Sequence, residues 1–182
     1  MKKVLLLLAE GFEEIEALGT CDVLRRLGME VTTASLAGRE VSGAHGMRVL
    51  ADAELKALAP AGFDALVLPG GMPGAVNLLA AKDLVRKFAA AGKVTAAICA
   101  APIVLSAAGV LEGRAFTMYP GFGKYLKDGE NPSGRLVERD GTVVTGKGPG
   151  ATFFFAAEVA KALDVPAEQI GRTLDAMFVT SE

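Results

Sequence analysis

The chain has 182 residues, of which 51% are hydrophobic and 22% charged, and its formal net charge at pH 7 is −2. This apolar content excludes intrinsic disorder and predicts a single globular domain over residues 1–182, because a chain of this length buries about 70% of the surface that it exposes when unfolded. The charges form no long run of one sign, so we expect no docking patch for nucleic acid or for an anionic membrane.

The N-terminal segment predicts one strand, one helix and a second strand. Residues 4–9 and 31–36 are short apolar runs of the kind found in parallel strands that are covered on both faces. Between them, residues 13–27 carry apolar side chains at helical spacing, and Gly28 is placed to end that helix. The two N-terminal lysines resemble the start of a signal peptide, but the apolar run behind them is too short and acidic residues follow it. We therefore interpret that run as a strand.

The middle of the chain predicts an antiparallel excursion and two more buried strands. Residues 39–51 form the excursion, because Gly43 and Gly46 break the chain between two extended arms. The buried strands are residues 65–68 and 94–98. Further elements are helices at residues 81–91, 100–108, 151–163 and 167–178, and a hairpin that turns at Asp140-Gly141 between residues 136–138 and 143–144.

One uncharged run, residues 94–111, reaches the length of a membrane span. Pro102 in its middle, Gly109 near its end and a filling of small side chains favour a buried strand that turns directly into a buried helix. Strands that alternate with helices then predict an α/β fold: a flavodoxin-like three-layer sandwich with a mostly parallel central sheet. Its ligand site is expected at the carboxyl ends of the strands.

Cys99 is the most informative residue near those strand ends. It lies between the strand at residues 94–98 and the helix at residues 100–108, flanked by side chains small enough for a sharp turn. A nucleophile in such an elbow is displayed above the sheet edge, and the positive end of the helix favours its thiolate. The alternative is that Cys99 fills the core as a small apolar residue.

The second cysteine, Cys21, lies in the first predicted helix and is assigned to packing. Neither cysteine belongs to a Cys-x-x-Cys pair, and two such cysteines suit a cytoplasmic protein.

Glycines and carboxylates surround the expected position of Cys99. Gly70 and Gly71 follow a predicted strand and let backbone N–H groups approach a bound oxygen. A phosphate cradle is the competing interpretation, but the signatures of nucleotide-binding loops are absent, and we expect no cofactor and no metal. The first loop carries four carboxylates, at Glu10, Glu13, Glu14 and Glu16, which would repel a flavin phosphate. Most carboxylates in a first helical turn face water, yet one of these four is able to share a proton with Cys99.

Four motifs resemble those of a known family. EGFEEIE at residues 10–16, LPGG at 68–71, AAICAAP at 96–102 and GPG at 148–150 occur in the order and at the spacing of the ThiJ/PfpI superfamily, and within it of the DJ-one branch. The likeness extends over nearly the whole chain. It implies a flavodoxin-like homodimer.

The resemblance also implies roles for individual residues. Cys99 is then the nucleophile, Glu16 the carboxyl hydrogen-bonded to it, and the N–H groups of Gly71 and Ala100 form an oxyanion pocket. The accessory residues are Gly70, Tyr119 and His45. Ala100 stands where protease-like branches have a histidine, so peptidase activity is not expected. Tyr119 stands where the DJ-one branch often has a histidine, and His45, the one histidine of the chain, where a basic residue approaches the partner subunit.

The resemblance finally implies two classes of function. As a glyoxalase or deglycase, the protein acts without cofactor on methylglyoxal, a small aldehyde, or on early glycation adducts, through a hemithioacetal at Cys99 with Glu16 as general base. As an oxidative-stress sensor or chaperone, it carries a Cys99 that is oxidised to sulfinate, to which protonated Glu16 donates a hydrogen bond.

Overall fold

A computed structural model describes residues 1–127 and 129–179. Nine strands are present in the described ranges: β1 (Lys3–Leu8), β2 (Glu30–Ser35), β3 (Glu40–Ser42), β4 (Arg48–Leu50), β5 (Ala53–Glu54), β6 (Ala65–Leu68), β7 (Val94–Ile98), β8 (Val137–Asp140) and β9 (Val143–Gly146). Seven of them form one sheet in the order β5-β2-β1-β6-β7-β9-β8, in which β8 is antiparallel to β9 and the other pairs are parallel.

Helices cover the sheet as two packed groups. They are α1 (Thr20–Arg26), α2 (Gly74–Asn77), α3 (Lys82–Ala90), α4 (Pro102–Ala107), α5 (Thr152–Ala162) and α6 (Ala167–Ala176). One group is built by α5, which packs against both α1 and α6, and the other by α4, which packs against α2 and α3. The five strands β2-β1-β6-β7-β9 have the order of a flavodoxin-like doubly wound sheet, so the predicted fold class is confirmed.

The sheet centre explains why the apolar runs are continuous. Every residue of β6, β7 and β9 is buried, and β1 is buried from its second residue onward. Strands that are covered by helices on both faces have no solvent side, so an alternating pattern is not expected in them. The uncharged run at residues 94–111 supplies β7 and α4, as predicted. No helix within the described ranges has the length and apolar character needed to cross a membrane.

The first predicted helix differs from expectation at its start. Its opening turn is a π-helix, Ile15–Gly19, and a regular α-helix follows only at Thr20–Arg26. Such wide turns occur often at functional sites, because they re-aim side chains that a regular helix would stagger. The two-residue strand β5 and the short helix α2 were not predicted, since neither is long enough to produce a periodic pattern.

Both antiparallel pairs are present, with β3 and β4 pairing within the excursion and β8 and β9 forming a hairpin. The hairpin turn lies one residue later than predicted, because Asp140 still pairs with Val143 as the last residue of β8, which leaves Gly141, at φ +61°, and Thr142 in the turn. The excursion is tied to the loop after β1, because the Gly11 N–H donates to Ser42 O at 2.8 Å and the Ala44 N–H donates to Phe12 O at 2.8 Å. These bonds hold His45 near the first loop.

Candidate active site

Three neighbouring strands end at one place in the fold. β1, β6 and β7 are adjacent and parallel, so the loop after β1, the Gly70–Gly71 loop after β6 and the turn at Cys99 after β7 meet at one edge of the sheet. The edge between β1 and β6 is also where the strand order reverses in a doubly wound sheet, the usual position of a ligand site. The structure therefore brings these three segments together at the carboxyl ends of the strands, where the ligand site was expected.

Cys99 lies in a strained backbone conformation. Its φ of +62° is in the left-handed region, which residues with a Cβ rarely adopt. Hydrogen bonds hold it on both sides: the Cys99 N–H donates to Gly146 O and the Tyr119 N–H donates to Cys99 O, both at 2.9 Å. The residue is buried, with 8% of its surface exposed, so its backbone conformation and its neighbours distinguish it from a packing cysteine, and its exposure does not. This geometry matches the predicted elbow.

Glu16 is buried directly beside the cysteine. It is 1% exposed, and its Oε2 accepts a hydrogen bond of 2.7 Å from the Gly70 N–H. Its other oxygen, Oε1, is buried with no hydrogen-bond partner within the described part of the chain. Burial raises the pKa of Glu16 to about 7, the negative charge of Glu13 adds to the rise, and the Gly70 N–H and the Cys99 thiol oppose it. A carboxyl in this environment is able to hold a proton at neutral pH.

The thiol of Cys99 is correspondingly hard to ionise. Burial raises its pKa to about 12, and the charge and hydrogen bonding of Glu16 contribute to the rise, whereas the N–H groups of Gly71 and Ala100 lower it. The expectation that the helix N-terminus favours a thiolate is wrong for the state with Glu16 ionised, because desolvation of the sulfur and the Glu16 charge outweigh the N–H groups of Gly71 and Ala100. In that state the proton of the pair lies on the sulfur.

The two glycines of the loop after β6 allow this close packing. A Cβ on Gly70 would lie 2.6 Å from Cys99 Cβ and 2.7 Å from Glu16 Oε2. Gly71 has φ +87°, and a Cβ there would lie 2.4 Å from the backbone nitrogen of Glu13. Only glycine fits at these positions, and the Gly71 N–H lies close enough to Cys99 to lower the pKa of its thiol.

The remaining carboxylates of the first loop do not all face water as expected. Glu10 is exposed, but Glu13 and Glu14 are only 6% and 4% exposed. Oε1 of Glu14 accepts from the backbone N–H of His45 at 2.7 Å, and its Oε2 pairs with His45 Nδ1 at 2.8 Å. Donor atoms of Glu13, Glu14 and His45 lie within 4.8 Å of one another. Because protein donors already engage both carboxylates, we assign Glu14 to holding the excursion against the loop, and Glu13, through the Glu16 N–H, to holding the loop itself.

Of the accessory residues, Tyr119 joins the site and His45 does not. Tyr119 reaches Cys99 through its backbone, while its ring is 46% exposed and packs against Phe122 with ring centres 6.1 Å apart. The ring borders a cavity of about 400 Å³ between Pro120, Leu136 and the Gly148-Pro149-Gly150 turn. His45 is paired with Glu14, and this contact raises the pKa of the imidazole above its usual value.

Two contributors to the site were missed by sequence reasoning. Gly146 accepts the hydrogen bond from Cys99 N–H, and Glu13 accepts one of 2.7 Å from the Glu16 N–H through its Oε2. The contact of Gly146 follows only from the pairing of β7 with β9. The contact of Glu13 could have been predicted from the sequence, since an acidic residue at the start of a helix commonly accepts a hydrogen bond from the backbone N–H three residues later.

The fold and site define a class: flavodoxin-like α/β proteins that display a strained cysteine beside a buried acid and a glycine loop at the sheet edge. The chain belongs to the DJ-1/PfpI family, whose model matches residues 2–162. It is 38% identical over 167 residues to the protein dj-1beta of Drosophila melanogaster, covering 89% of each chain. It is 37% identical over 164 residues to a protein of Pyrococcus abyssi named a deglycase, covering 88% of this chain and 99% of that one.

A solved structure, oxidized DJ-1 of Toxoplasma gondii, is also similar along its full length. The two chains superpose with a TM-score of 0.92 at 32% identity, and each is covered completely. The crystal structure of Drosophila DJ-1beta gives a TM-score of 0.91 at 36% identity, with 99% of each chain covered. The flavodoxin-like fold thus agrees with experimentally solved relatives.

Proposed function

We propose that the protein is a cysteine-dependent deglycase or glyoxalase that acts on methylglyoxal or on early glycation adducts. The observation that carries the proposal is the Cys99 thiol packed against the buried carboxyl of Glu16, with the N–H groups of Gly71 and Ala100 beside the sulfur. Relatives from two Pyrococcus species at 37% and 38% identity are named deglycases. A nucleophile, a base and an oxyanion pocket are the groups that addition to a carbonyl needs.

In the first step, the Cys99 sulfur bonds to the aldehyde carbon while the Glu16 carboxylate takes the thiol proton. The carbonyl π electrons move onto oxygen, where the Gly71 and Ala100 N–H groups stabilise the developing charge, and Glu16 returns the proton to that oxygen to give a hemithioacetal. General-base assistance by Glu16 is required, because the raised pKa of Cys99 leaves little free thiolate at neutral pH.

In the second step, Glu16 moves a proton between adjacent carbons. It removes the proton from the carbon attached to sulfur and delivers it to the neighbouring carbonyl carbon, which converts the hemithioacetal of methylglyoxal into a lactoyl thioester. Water then cleaves the thioester, so that the overall change is methylglyoxal plus water to lactate. With a glycation adduct, the sulfur instead displaces the amine, which leaves with a proton, and the same intermediate follows.

Incubation of the pure protein with methylglyoxal, and separately with a preformed adduct of methylglyoxal and a free amine, tests the proposal. NMR detection of lactate, and of amine released faster than the adduct dissociates alone, is expected from the wild type and from Cys21→Ser. It is not expected from Cys99→Ser, whose hydroxyl is a far poorer nucleophile. Equal lactate production by the Cys99 variant would refute the proposal.

We also propose that the functional form is a homodimer. Ile15 and Leu18 on the first helical turn are 55% and 41% exposed, and Met47 and Leu50 on the excursion are 59% and 67% exposed. The two groups are neighbours, because the Met47 N–H lies 3.4 Å from Oε1 of Glu14, the residue before Ile15. A cluster of large apolar side chains at the surface is typical of an interface between identical subunits.

A second candidate function is redox sensing at the same cysteine. The Cys99 thiolate attacks peroxide to give sulfenate and water, and a second peroxide gives sulfinate. The N–H groups of Gly71 and Ala100, together with protonated Glu16, are placed to donate to the sulfinate oxygens. Both cysteines are free, which suits a protein of a reducing, cytoplasmic compartment. Mass spectrometry after peroxide treatment, read together with the lactate assay, distinguishes the candidates, because a sensor accumulates sulfinate on Cys99 without turning over aldehyde.

A further inference from the structure

Glu13 is a buried carboxylate that the proposed mechanism does not use. It is 6% exposed, although a glutamate in the first turn of a surface helix ordinarily reaches water. Burial of a charged group is costly unless specific partners compensate it, so the contacts of this side chain indicate its role.

These contacts close a ring of three hydrogen bonds around the catalytic carboxyl. The backbone N–H of Glu13 donates to Gly70 O at 3.0 Å, and the Gly70 N–H donates to Glu16 Oε2 at 2.7 Å. The Glu16 N–H in turn donates to Glu13 Oε2 at 2.7 Å. The Glu16 side chain is thereby bound to Gly70 directly, and the Glu16 backbone is bound to Gly70 through Glu13.

We propose that Glu13 is a positioning residue, which fixes the Glu16 carboxyl against Gly70 and strengthens it as a base by placing a second negative charge beside it. This inference rests on the proposed role of Glu16. Glu13 does not contact the sulfur and acts through Glu16. Hydrogen bonds that lock a reacting group in place are as important to a site as the group itself, because small displacements cost large factors in rate.

The surroundings of Glu16 leave few other groups able to set its protonation. Among the described residues, the titratable groups that act on it are Glu13 from its own turn and Cys99 from the turn after β7, and the loop after β6 adds the Gly70 N–H. Helix α5 also packs against this turn, but its charged residues Glu158 and Lys161 pair with each other and Glu158 also with Arg139.

Two variants separate the charge of Glu13 from its hydrogen bond. Glu13→Gln keeps an oxygen that accepts from the Glu16 N–H but removes the charge, whereas Glu13→Ala removes both. Glu14→Gln is the matched control, because it removes an equally buried charge from the adjacent position and disturbs the contact with His45 instead.

The measurement is the pH dependence of Cys99 alkylation by iodoacetamide, followed by peptide mass analysis. The rate is expected to rise as the Cys99–Glu16 pair loses its first proton, near the Glu16 pKa of about 7. Removing the neighbouring negative charge makes that proton easier to lose, so the midpoint of Glu13→Gln moves to lower pH. The midpoint of Glu14→Gln stays at the wild-type value.

Aldehyde turnover provides the second readout. Glu13→Ala is expected to lower kcat about tenfold or more with KM little changed, and Glu13→Gln to lower it by a smaller factor, because the Gln keeps the hydrogen bond that positions Glu16 but removes the neighbouring charge. A wild-type alkylation midpoint in Glu13→Gln, or an equal shift in Glu14→Gln, overturns the inference. Because alkylation requires no turnover, a wild type that lacks aldehyde activity refutes the proposed function while the midpoints still decide the role of Glu13.

Discussion

Cys99 and Glu16 are packed against each other in a buried space, and this pair is the central feature of the protein at the scale of single residues. Burial and the Glu16 charge raise the pKa of Cys99 to about 12, whereas burial and the Glu13 charge raise the pKa of Glu16 to about 7 against the opposing effect of the Cys99 thiol. The pair therefore exchanges one negative charge for another when the thiol proton moves to the carboxyl. Such an exchange costs less than creating a new charge, which is what makes the buried thiol usable as a nucleophile.

Selective alkylation is the first prediction at this scale. With iodoacetamide at pH 8, Cys99 is expected to react well before Cys21, because Glu16 is placed to take the Cys99 proton, whereas burial and the charges of Asp52 and Asp22 raise the pKa of Cys21. Peptide mass analysis after short exposure identifies the modified residue. Cys21→Ser should leave the labelling rate unchanged, and preferential labelling of Cys21 would contradict the assignment of Cys99 as the reactive thiol.

The second prediction concerns Glu16 and the pH dependence of stability. A carboxyl whose pKa is about 7 when folded and 4.5 when unfolded stabilises the fold below pH 4.5, and that contribution is lost as pH rises to 7. The difference corresponds to about 3 kcal/mol. Glu16→Gln cannot ionise and still accepts from Gly70, so it is expected to be more stable than the wild type at pH 8 by about 1 to 3 kcal/mol.

Urea denaturation of the wild type and Glu16→Gln between pH 4 and 8 checks this prediction. Subtracting the free energy of unfolding of one protein from that of the other at each pH removes the contributions of other titrating groups. Among these are Glu14 and Asp52, whose lowered pKa values act in the opposite direction. A difference that does not change across this range would mean that Glu16 titrates normally.

At the scale of elements, the site depends on how closely the loop after β6 approaches the turn after β1. Gly70 and Gly71 both lie where a Cβ would overlap neighbouring backbone or side-chain atoms. The loop therefore contributes its bare N–H groups to the site, and the π-helical opening turn at Ile15–Gly19 brings the Glu16 carboxyl to meet them. Each element supplies one part of the site, and none forms it alone.

A glycine substitution tests that closeness. Gly71→Ala is expected to destabilise the protein by about 2 kcal/mol or more, because it combines left-handed backbone with a contact of 2.4 Å to the Glu13 nitrogen. Gly113→Ala is the matched control, since Gly113 has a φ of +69° with no atom within 4 Å of the added Cβ. It should cost only about 1 kcal/mol.

Urea denaturation measures the two losses, and the rate of Cys99 alkylation reports the effect on the site. Equal destabilisation by the two substitutions would show that backbone conformation, and not the close approach of the two loops, makes glycine necessary at position 71.

At the scale of the whole molecule, the exposed apolar residues on the first turn and the excursion predict self-association. Sedimentation at micromolar concentration should give a species of twice the chain mass. Ile15→Glu is expected to shift it to the monomer without loss of folding, because the side chain is 55% exposed within one subunit. Leu136→Glu, at an apolar position that is 49% exposed and lines the cavity beside Tyr119 instead, should leave the dimer intact. A wild-type monomer would contradict the proposed assembly.

The amino-acid sequence by itself determined the fold class, the positions of the main strands along the chain and the position of Cys99 at a strand-to-helix turn. Apolar runs and helical periodicity are local patterns, because each reflects burial on one or both faces of a single element. Glycine breakers mark where such an element ends. The motifs at residues 10–16, 68–71, 96–102 and 148–150 also indicated the family, which the comparisons confirm.

Only the tertiary structure decided which carboxylates are buried, what they contact and how Cys99 ionises. Four glutamates in one loop are alike in sequence, but the π-helical turn, the Gly70 peptide and the excursion bring three of them into the interior with different partners. A pKa depends on desolvation and on charges within a few ångströms, which come from strands distant in the chain. For that reason the sequence suggested a helix-stabilised thiolate, whereas the folded protein holds a protonated thiol beside a buried acid.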